Sequence, residues 1–364
     1  MNVKFERLGK FEQEKERNGG ENGSADEKEK VEVLTQKYLA QYGGEIETHK
    51  RNELSKKGEQ KSFVDEYYKV ATDFYEYGWG ESFHFAVLRK DETWLESMRR
   101  HEYYLALRLG LKPGDHVVDL GCGVGGPAMN IARFANCRVT GVTLNQYQVD
   151  RAQKIAERRN CADLCHVIRG DFMHTPFSSE SIDHVYAIES TCHTVDKVSV
   201  FGEAFRILKP GGCFAGYEWV TTSKYDENNE EHVRTRIGIE RGNGLPETVP
   251  AHVVKDALIK CGFELIDAYD TMENNEVPWW NPFLNNYSLT GLASSRLGRT
   301  IFGYIFQVLE FVGVVPKGTH DVHEFLSMGA ENLIRGGEMG IYSVGYFFLA
   351  RKPLRPVNET VKPA

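Results

Sequence analysis

The sequence predicts an α/β protein built on a doubly wound, mostly parallel sheet, with a mainly helical C-terminal block. Short apolar strand patterns alternate with helical ones from residue 116 to about 220, the rhythm of a parallel sheet covered on both faces. A glycine-rich turn, DLGCGVGGP, separates the first strand of that series from its first helix. After residue 221 the alternation loosens, and the block from 277 to 340 reads as mostly helical.

The elements follow in order. Residues 1–62 are rich in Glu, Lys, Gly and Asn. They read as a charged leader, disordered or loosely helical, with one candidate helix near KVEVLTQKYLAQY. From Phe63 the character changes, and FVDEYYKVATDFYEY reads as an amphipathic helix. TWLESMRRHEYYLALRLGL (93–111) is a second, closed by Gly110 and the Lys112-Pro113-Gly114 turn. HVVDL (116–120) is a short apolar strand, and GPAMNIARFA (126–135) a helix with Pro127 in its first turn, where a missing N–H costs nothing. CRVTGVT (137–143), HVIRG (166–170) and IDHVYAI (182–188) read as strands, and NQYQVDRAQKIAERRN (145–160) as the helix between the first two. KVSVFGEAFRILKPGG (197–212) reads as a helix with a Pro-Gly stop, followed by the strand CFAGYEWV (213–220). VPAHVVKDALIKCG (249–262) is a helix, and FELIDAYD (263–270) and SVGYFFLARK (343–352) are strands. The boundaries that result are a leader to 62, a sheet core over 63–222, a C-terminal region over 223–353 and a polar tail over 354–364.

Composition narrows the function. With 41% hydrophobic and 26% charged residues the chain suits a globular fold, and a net charge of −8 argues against a nucleic-acid binder. The start has no apolar run of a signal peptide. The longest apolar stretch, IFGYIFQVLEFVGVV (301–315), is too short to span a bilayer and carries Gln307 and Glu310. Seven cysteines, an odd number in a long chain, point to free thiols in a reducing compartment. Cys161-x-x-x-Cys165-His166 and Cys192-His193 invite a zinc reading, but a second well-spaced pair is missing, so no metal is expected.

Gly121-x-Gly123-x-x-Gly126 between strand and helix fits a dinucleotide fingerprint. NAD would need an acid at the end of the second strand, yet VTGVTLNQ offers none before Asp150. Asp119 instead precedes the glycines, and D-x-G-x-G resembles the cofactor loop of S-adenosylmethionine-dependent methyltransferases. In such a loop glycine lets backbone approach the ligand closely. Asp119 or nearby carbonyls could hold an ammonium group. Asn145 and Gln146 follow the second strand and could bond ribose hydroxyls, while Asp171 and Phe172 follow the third, where an acid and a ring could meet adenine.

The stretch YEYGWGESFHF (75–85) has five aromatic rings in eleven residues against 12% for the chain, with Glu76 and Glu81 among them. Rings and carboxylates side by side suit a positive charge that has no hydrogen to donate.

These segments together resemble the sterol 24-C-methyltransferases, class I methyltransferases of Rossmann-like fold. YEYGWGESFHF resembles their aromatic sterol-binding motif, DLGCGVGGP their cofactor loop, YAIESTCHT (186–194) and YEWVTTSKYD (217–226) two further segments, and GNGLP (242–246) and FFLARKP a shared ending. The likeness runs from about 63 to 353. The chain departs from the pattern at Ser190, Thr194-Val195 and Ser223, and in Thr143-Leu144-Asn145-Gln146.

The resemblance implies methyl transfer from S-adenosylmethionine to a side-chain alkene of a sterol, at carbon 24, through a carbocation that is finally deprotonated. Three alternatives stay open beside it: methylation of a sterol ring carbon, methylation of another lipid acceptor, or a non-catalytic sterol-binding relative. Tyr75, Tyr77, Trp79, Phe83 and Phe85, with Tyr217 and Trp219, are the expected sterol-facing rings. Glu189, just past the fourth strand, is the first choice of base and a possible cofactor contact, with His193 four residues on as its hydrogen-bond partner or relay. Glu76, His84, Glu218 and Asp226 are second choices. VPWWNPF (277–283) and the apolar helix from Arg299 fit a sterol cavity, a membrane-facing patch or C-terminal core. Family likeness also implies homo-oligomers and peripheral contact with the endoplasmic reticulum membrane.

Overall fold

The computed structural model describes residues 72, 80–284, 295–315 and 317–354. Tyr75, Glu76, Tyr77 and Trp79, the leader, and most of the helix expected over 63–77 lie outside the described residues. The sheet has seven strands: β1 (His116–Leu120), β2 (Arg138–Thr143), β3 (Cys165–Arg169), β4 (Ile182–Ile188), β5 (Leu208–Thr221), β6 (Glu264–Asp270) and β7 (Tyr342–Arg351). Their order is β3-β2-β1-β4-β5-β7-β6, parallel throughout except that β7 runs antiparallel to both neighbours. The direction of winding reverses between β1 and β4, which opens a crevice at their carboxyl ends.

Two helix layers seal the sheet. On one face α1 (Trp94–Leu109), α2 (Gly126–Ala135) and α3 (Gln146–Arg158) bury Leu105, Ile131 and Ile155 against Val117, Val139 and Tyr217. On the other, α4 (Lys197–Ile207) and α6 (Ala251–Lys260) bury Phe201 and Leu258 against Val118, Val185 and Phe348. Local chemistry sets the helix ends. Thr93 and Glu96 form a reciprocal capping box at the start of α1, and Gly110 closes it in a left-handed conformation.

Three expectations need correction. The segment 208–212 belongs to the strand, not the helix: α4 ends at Ile207 and β5 starts at Leu208, with an irregularity over Lys209-Pro210-Gly211-Gly212 between the Leu208–Ile182 and Cys213–His184 pairs. The glycine makes this possible, since a Cβ at Gly212 would stand 2.5 Å from the Asp183 carbonyl oxygen on the neighbouring β4. The loosely patterned region after 221 contains a helix, α5 (Glu230–Gly242). Asn229 caps it by accepting from the Glu231 and His232 N–H groups. Its apolar face is sparse because it packs through small residues: a Cβ at Gly242 would meet the Gly329 Cα at 2.2 Å. Finally, residues 277–284 form no long helix but a short 3₁₀ turn over Asn281–Phe283, where Pro282 interrupts α-helical bonding. The helical pattern resumes in α7 (Arg296–Phe311) and α8 (Thr319–Glu338). Among the described residues no helix is long and apolar enough to cross a membrane.

Above the carboxyl end of the sheet a third apolar cluster forms. It joins Phe85 and Trp219 to Trp279, Phe283, Ile239 of α5, and Leu333 and Ile334 of α8.

Candidate active site

The loop after β1 is drawn in tightly. Gly121 and Cys122 both donate their N–H groups to the Val142 carbonyl, at 2.9 and 3.1 Å, which bends the chain across the end of β2. Gly121 and Gly123 take positive φ, 89° and 55°. A Cβ on Gly121 would lie 2.3 Å from the Ser190 Cβ, so the loops after β1 and β4 touch here only because glycine is present. The Ser190 hydroxyl donates across the same gap to the Leu120 carbonyl.

Asp119, at the end of β1, is buried, and burial pushes its carboxyl up to about 7, although Tyr186 and His84 pull it partly back. Tyr186 lies opposite it in register on β4. The Tyr186 hydroxyl is near enough to steady the carboxylate, but neither it nor the Asp119 Oδ2 reaches a partner at full hydrogen-bond distance among the described residues. A buried carboxylate oxygen in that state is suited to a cationic N–H donor.

At the end of β2, Asn145 is spent as the cap of α3, accepting from the Gln148 N–H at 3.3 Å. Gln146 points outward and bonds Asp150 at 2.8 Å. Gln148 is the buried amide here, with its oxygen accepting from the Thr143 hydroxyl at 2.6 Å and its nitrogen donating to Thr72 at 3.3 Å. After β3, Asp171 accepts from the Met173 N–H at 2.9 Å and faces His174 at 3.2 Å, so it builds a turn. Phe172 packs at the margin of the core.

Past β4, Glu189 stands in the left-handed region, φ 51°, a position that strands and helices do not supply and that aims its side chain back over the crevice. Its Oε1 accepts from the Phe85 N–H and its Oε2 from the Trp219 indole N–H, both at 2.7 Å. Burial pushes this carboxyl up to about 7, against the pull of the His84 charge and the two donors. The rings that supply those donors meet each other: Phe85 lies edge-on to Trp219 at 5.7 Å and to Trp279 at 5.5 Å, and tilts on Phe283 at 5.8 Å.

The segment 81–85 forms an arch over the glycine loop. A Cβ at Gly126 would meet the Glu81 carbonyl at 2.0 Å, and one at Gly123 would meet the Phe83 ring at 3.4 Å. The Glu81 carboxylate turns outward to Arg158 and Arg159, at 2.6 and 3.1 Å. His84 turns inward to Glu102 of α1. Glu102 was not legible as a site residue, though its position gave a signal: Met98, Glu102, Leu105 and Leu109 line one helical face, where an acid is out of place.

The remaining expected residues lie apart from Glu189. Tyr217 is wholly buried, stacked on His101 at 3.7 Å. Glu218 faces the opposite side of β5 and pairs with Lys197 of α4 at 3.0 Å. His193 donates from Nδ1 to the Gly244 carbonyl at 3.3 Å, and burial pulls it down to about 4, so it is neutral at physiological pH. Asp226 accepts from the Asn228 N–H in an exposed turn. Among the described residues no group of three or more His, Cys, Asp or Glu side chains could hold a metal ion.

Relatives place the chain in a family. A cycloartenol-C-24-methyltransferase of Oryza sativa subsp. japonica is 43% identical over 88% of this chain and 91% of its own length. A sterol 24-C-methyltransferase of Saccharomyces cerevisiae is 42% identical over 87% of this chain and 85% of its own length. The chain belongs to the sterol 24-C-methyltransferase family. Residues 118–216 match a methyltransferase domain family, and residues 289–354 match the sterol methyltransferase C-terminal family. Solved structures agree on the fold. A cyclopropane synthase of Mycobacterium tuberculosis superposes with a TM-score of 0.63 at 18% identity, covering 80% of this chain and 98% of that one. A geranyl diphosphate C-methyltransferase of Streptomyces coelicolor, in complex with S-adenosyl-L-homocysteine, gives 0.59 at 17% identity, covering 80% and 97%. The chain thus has the class I methyltransferase sheet, and the crevice between β1 and β4 is its candidate site.

Proposed function

We propose that this chain moves a methyl group from S-adenosylmethionine to a sterol side-chain alkene, at carbon 24. The observation that carries the reading is Glu189: a buried, ionisable carboxylate held between the glycine-loop crevice and the Phe85–Trp219–Trp279–Phe283 cluster. The residues present fit the donor. The Asp119 Oδ2 suits its ammonium group, and a side chain at Gly121 would strike Ser190. When bound, S-adenosylmethionine supplies an electrophilic methyl on a sulfonium.

The chain's own groups do the rest. An alkene needs no base to become a nucleophile, so the site must align it, exclude water and steady the positive charge left on carbon. Phe85 and Trp219 are rings of a dry cluster, and a ring face is worth roughly 0.5–2 kcal/mol to a desolvated cation. Above pH about 7 Glu189 is ionised and can both attract that charge and accept the final proton. His193, neutral and tied to Gly244, holds the loop after β4 rather than relaying the proton.

The acceptor is nearly insoluble and has to leave a bilayer. On α7, Leu297, Ile301, Tyr304, Val308 and Phe311 line one exposed face, with Phe311 91% exposed. That stripe supports peripheral contact with a membrane, at the endoplasmic reticulum as the resemblance implies, and homo-oligomers are part of the same reading.

Incubation with methyl-labelled donor and a panel of sterols, followed by mass spectrometry, tests the function. Label is expected on the side chain of a Δ24 sterol. Label on a polar amine, or on no sterol at all, overturns it.

A further inference from the structure

Glu102 is a buried carboxylate with no place in the chemistry above, yet its surroundings are elaborate. Its Oε1 accepts from the Ser82 hydroxyl at 2.8 Å and from His84 Nε2 at 3.1 Å. Its Oε2 accepts from the Asn130 Nδ2 at 2.6 Å. The Asn130 oxygen accepts in turn from Arg159, which fixes the amide so that its nitrogen must face Glu102. The Oε2 bond therefore runs from Asn130 to Glu102, while Oε1 is shared by the Ser82 hydroxyl and His84 Nε2.

His84 sits between two acceptors. Its Nδ1 lies 2.6 Å from the Phe85 carbonyl and its Nε2 faces Glu102. The carbonyl can only accept, so Nδ1 carries a proton, and with Glu102 Oε1 accepting at Nε2 the ring is an imidazolium. The next residue's N–H binds Glu189. One dipeptide thus delivers both a hydrogen bond and a positive charge to the carboxylate.

We propose that Glu102 is a positioning residue: it holds His84 doubly donating and charged, and through His84 keeps Glu189 ionised in a dry crevice. Glu102, His84 and Glu189 together carry one net negative charge, the complement of a single positive charge arising on substrate. The titratable groups around His84 are Glu102 and the stacked His101 from α1, Asp119 from β1, and Glu189 past β4. His101 is held neutral by burial and by the His84 charge, and its Nε2 has no partner among the described residues. Burial lowers the affinity of His84 for its proton, but the bond to Glu102 and the charges of Glu102 and Glu189 outweigh it, and the net shift is upward. That Glu189 is the base rests on the proposed function; the charge on His84 does not.

Nitrogen-15 NMR of the histidines in the intact wild-type protein reads the first half without substrate. Both ring nitrogens of His84 are expected at imidazolium shifts at pH 7.5, and a neutral tautomer there overturns the proposal. Glu102→Gln reads the second half. His84 should become neutral, and the acid limb of kcat should move up by about one pH unit, with donor Kd unchanged. Glu102→Asp should return part of that shift. Losing a carboxylate near Glu189 would by itself move the limb down, so a downward shift overturns the relay through His84. Equal impairment of Gln and Asp variants at every pH, with unchanged circular dichroism, reduces Glu102 to packing and also overturns it. A charged His84 in a protein that labels no sterol would instead sink the proposed function and leave the ion pair standing.

Discussion

Glu189 lies just past β4 and Glu218 within the neighbouring β5, and both are buried carboxyls pushed up by burial. They differ in what they meet. Glu218 looks through the sheet toward α4, where the Lys197 ammonium reaches it and also donates to the Thr191 carbonyl at 2.7 Å. Glu189 looks toward the aromatic cluster and is held by two neutral donors, Phe85 N–H and Trp219 indole N–H, with its nearest cation, His84, one residue behind the first of them. A full ion pair consumes a charge, whereas neutral donors hold a carboxylate in place and leave its charge to act on whatever enters the crevice. In the proposed function, the difference gives Glu218 a structural part and Glu189 the chemical one.

Three substitutions break or sharpen that contrast. The largest effect is expected at Glu189. Glu189→Gln should cut kcat by about 10²–10⁴-fold, the usual worth of a positioned base, and leave donor Kd in place. In the wild type the acid limb of kcat should have its midpoint near pH 7, because Glu189 must be ionised to act and burial holds it at about 7. Equal loss of donor binding would make Glu189 a cofactor ligand instead. Next comes Glu218→Leu, which strands the Lys197 ammonium in the core. Urea unfolding should show a loss of about 3–5 kcal/mol, with kcat of the folded fraction unchanged. Adding Lys197→Met should restore most of that stability. A collapse of kcat in a well-folded double variant would erase the distinction between the two carboxylates. The smallest effect is expected from Trp219→Phe, which keeps a ring but removes the N–H from Glu189 Oε2. Loss of a donor to the ionised form should raise the acid limb by less than about one pH unit. A pH–rate profile that does not move would mean that Trp219 acts through its ring alone.

Much of the sheet was legible because strand and helix patterns are local. Alternation of two and a repeat near four expose HVVDL, GPAMNIARFA and IDHVYAI without any knowledge of neighbours. The glycine loop was legible for a similar reason, since only a tight turn needs so many glycines between strand and helix. Helix α5 was hidden because its contact with α8 runs through Gly242 and Gly329, and small residues leave no hydrophobic trace. The strand start at Leu208 was hidden behind Lys209-Pro210-Gly211, whose local preference for a turn survives as an irregularity between the Leu208 and Cys213 pairs with β4. Within the site, Asn145 and Gln146 stood where a ligand contact was expected, but helix capping took the first and a surface partner the second. Gln148, two residues on, is the one turned inward.

From sequence alone came the fold class, the crevice loop with Asp119 ahead of it, and the suspicion of Glu189. Those depend on spacing along the chain, which sequence records directly. Tertiary structure alone decided which acid is neutralised, which histidine carries charge and which rings surround Glu189. Glu102 lies 18 residues from His84, Trp219 lies 30 from Glu189, and Phe85 lies 104 from it. The charge state of a buried group is fixed by partners a few ångströms away in space, and packing, not chain order, brings those partners in.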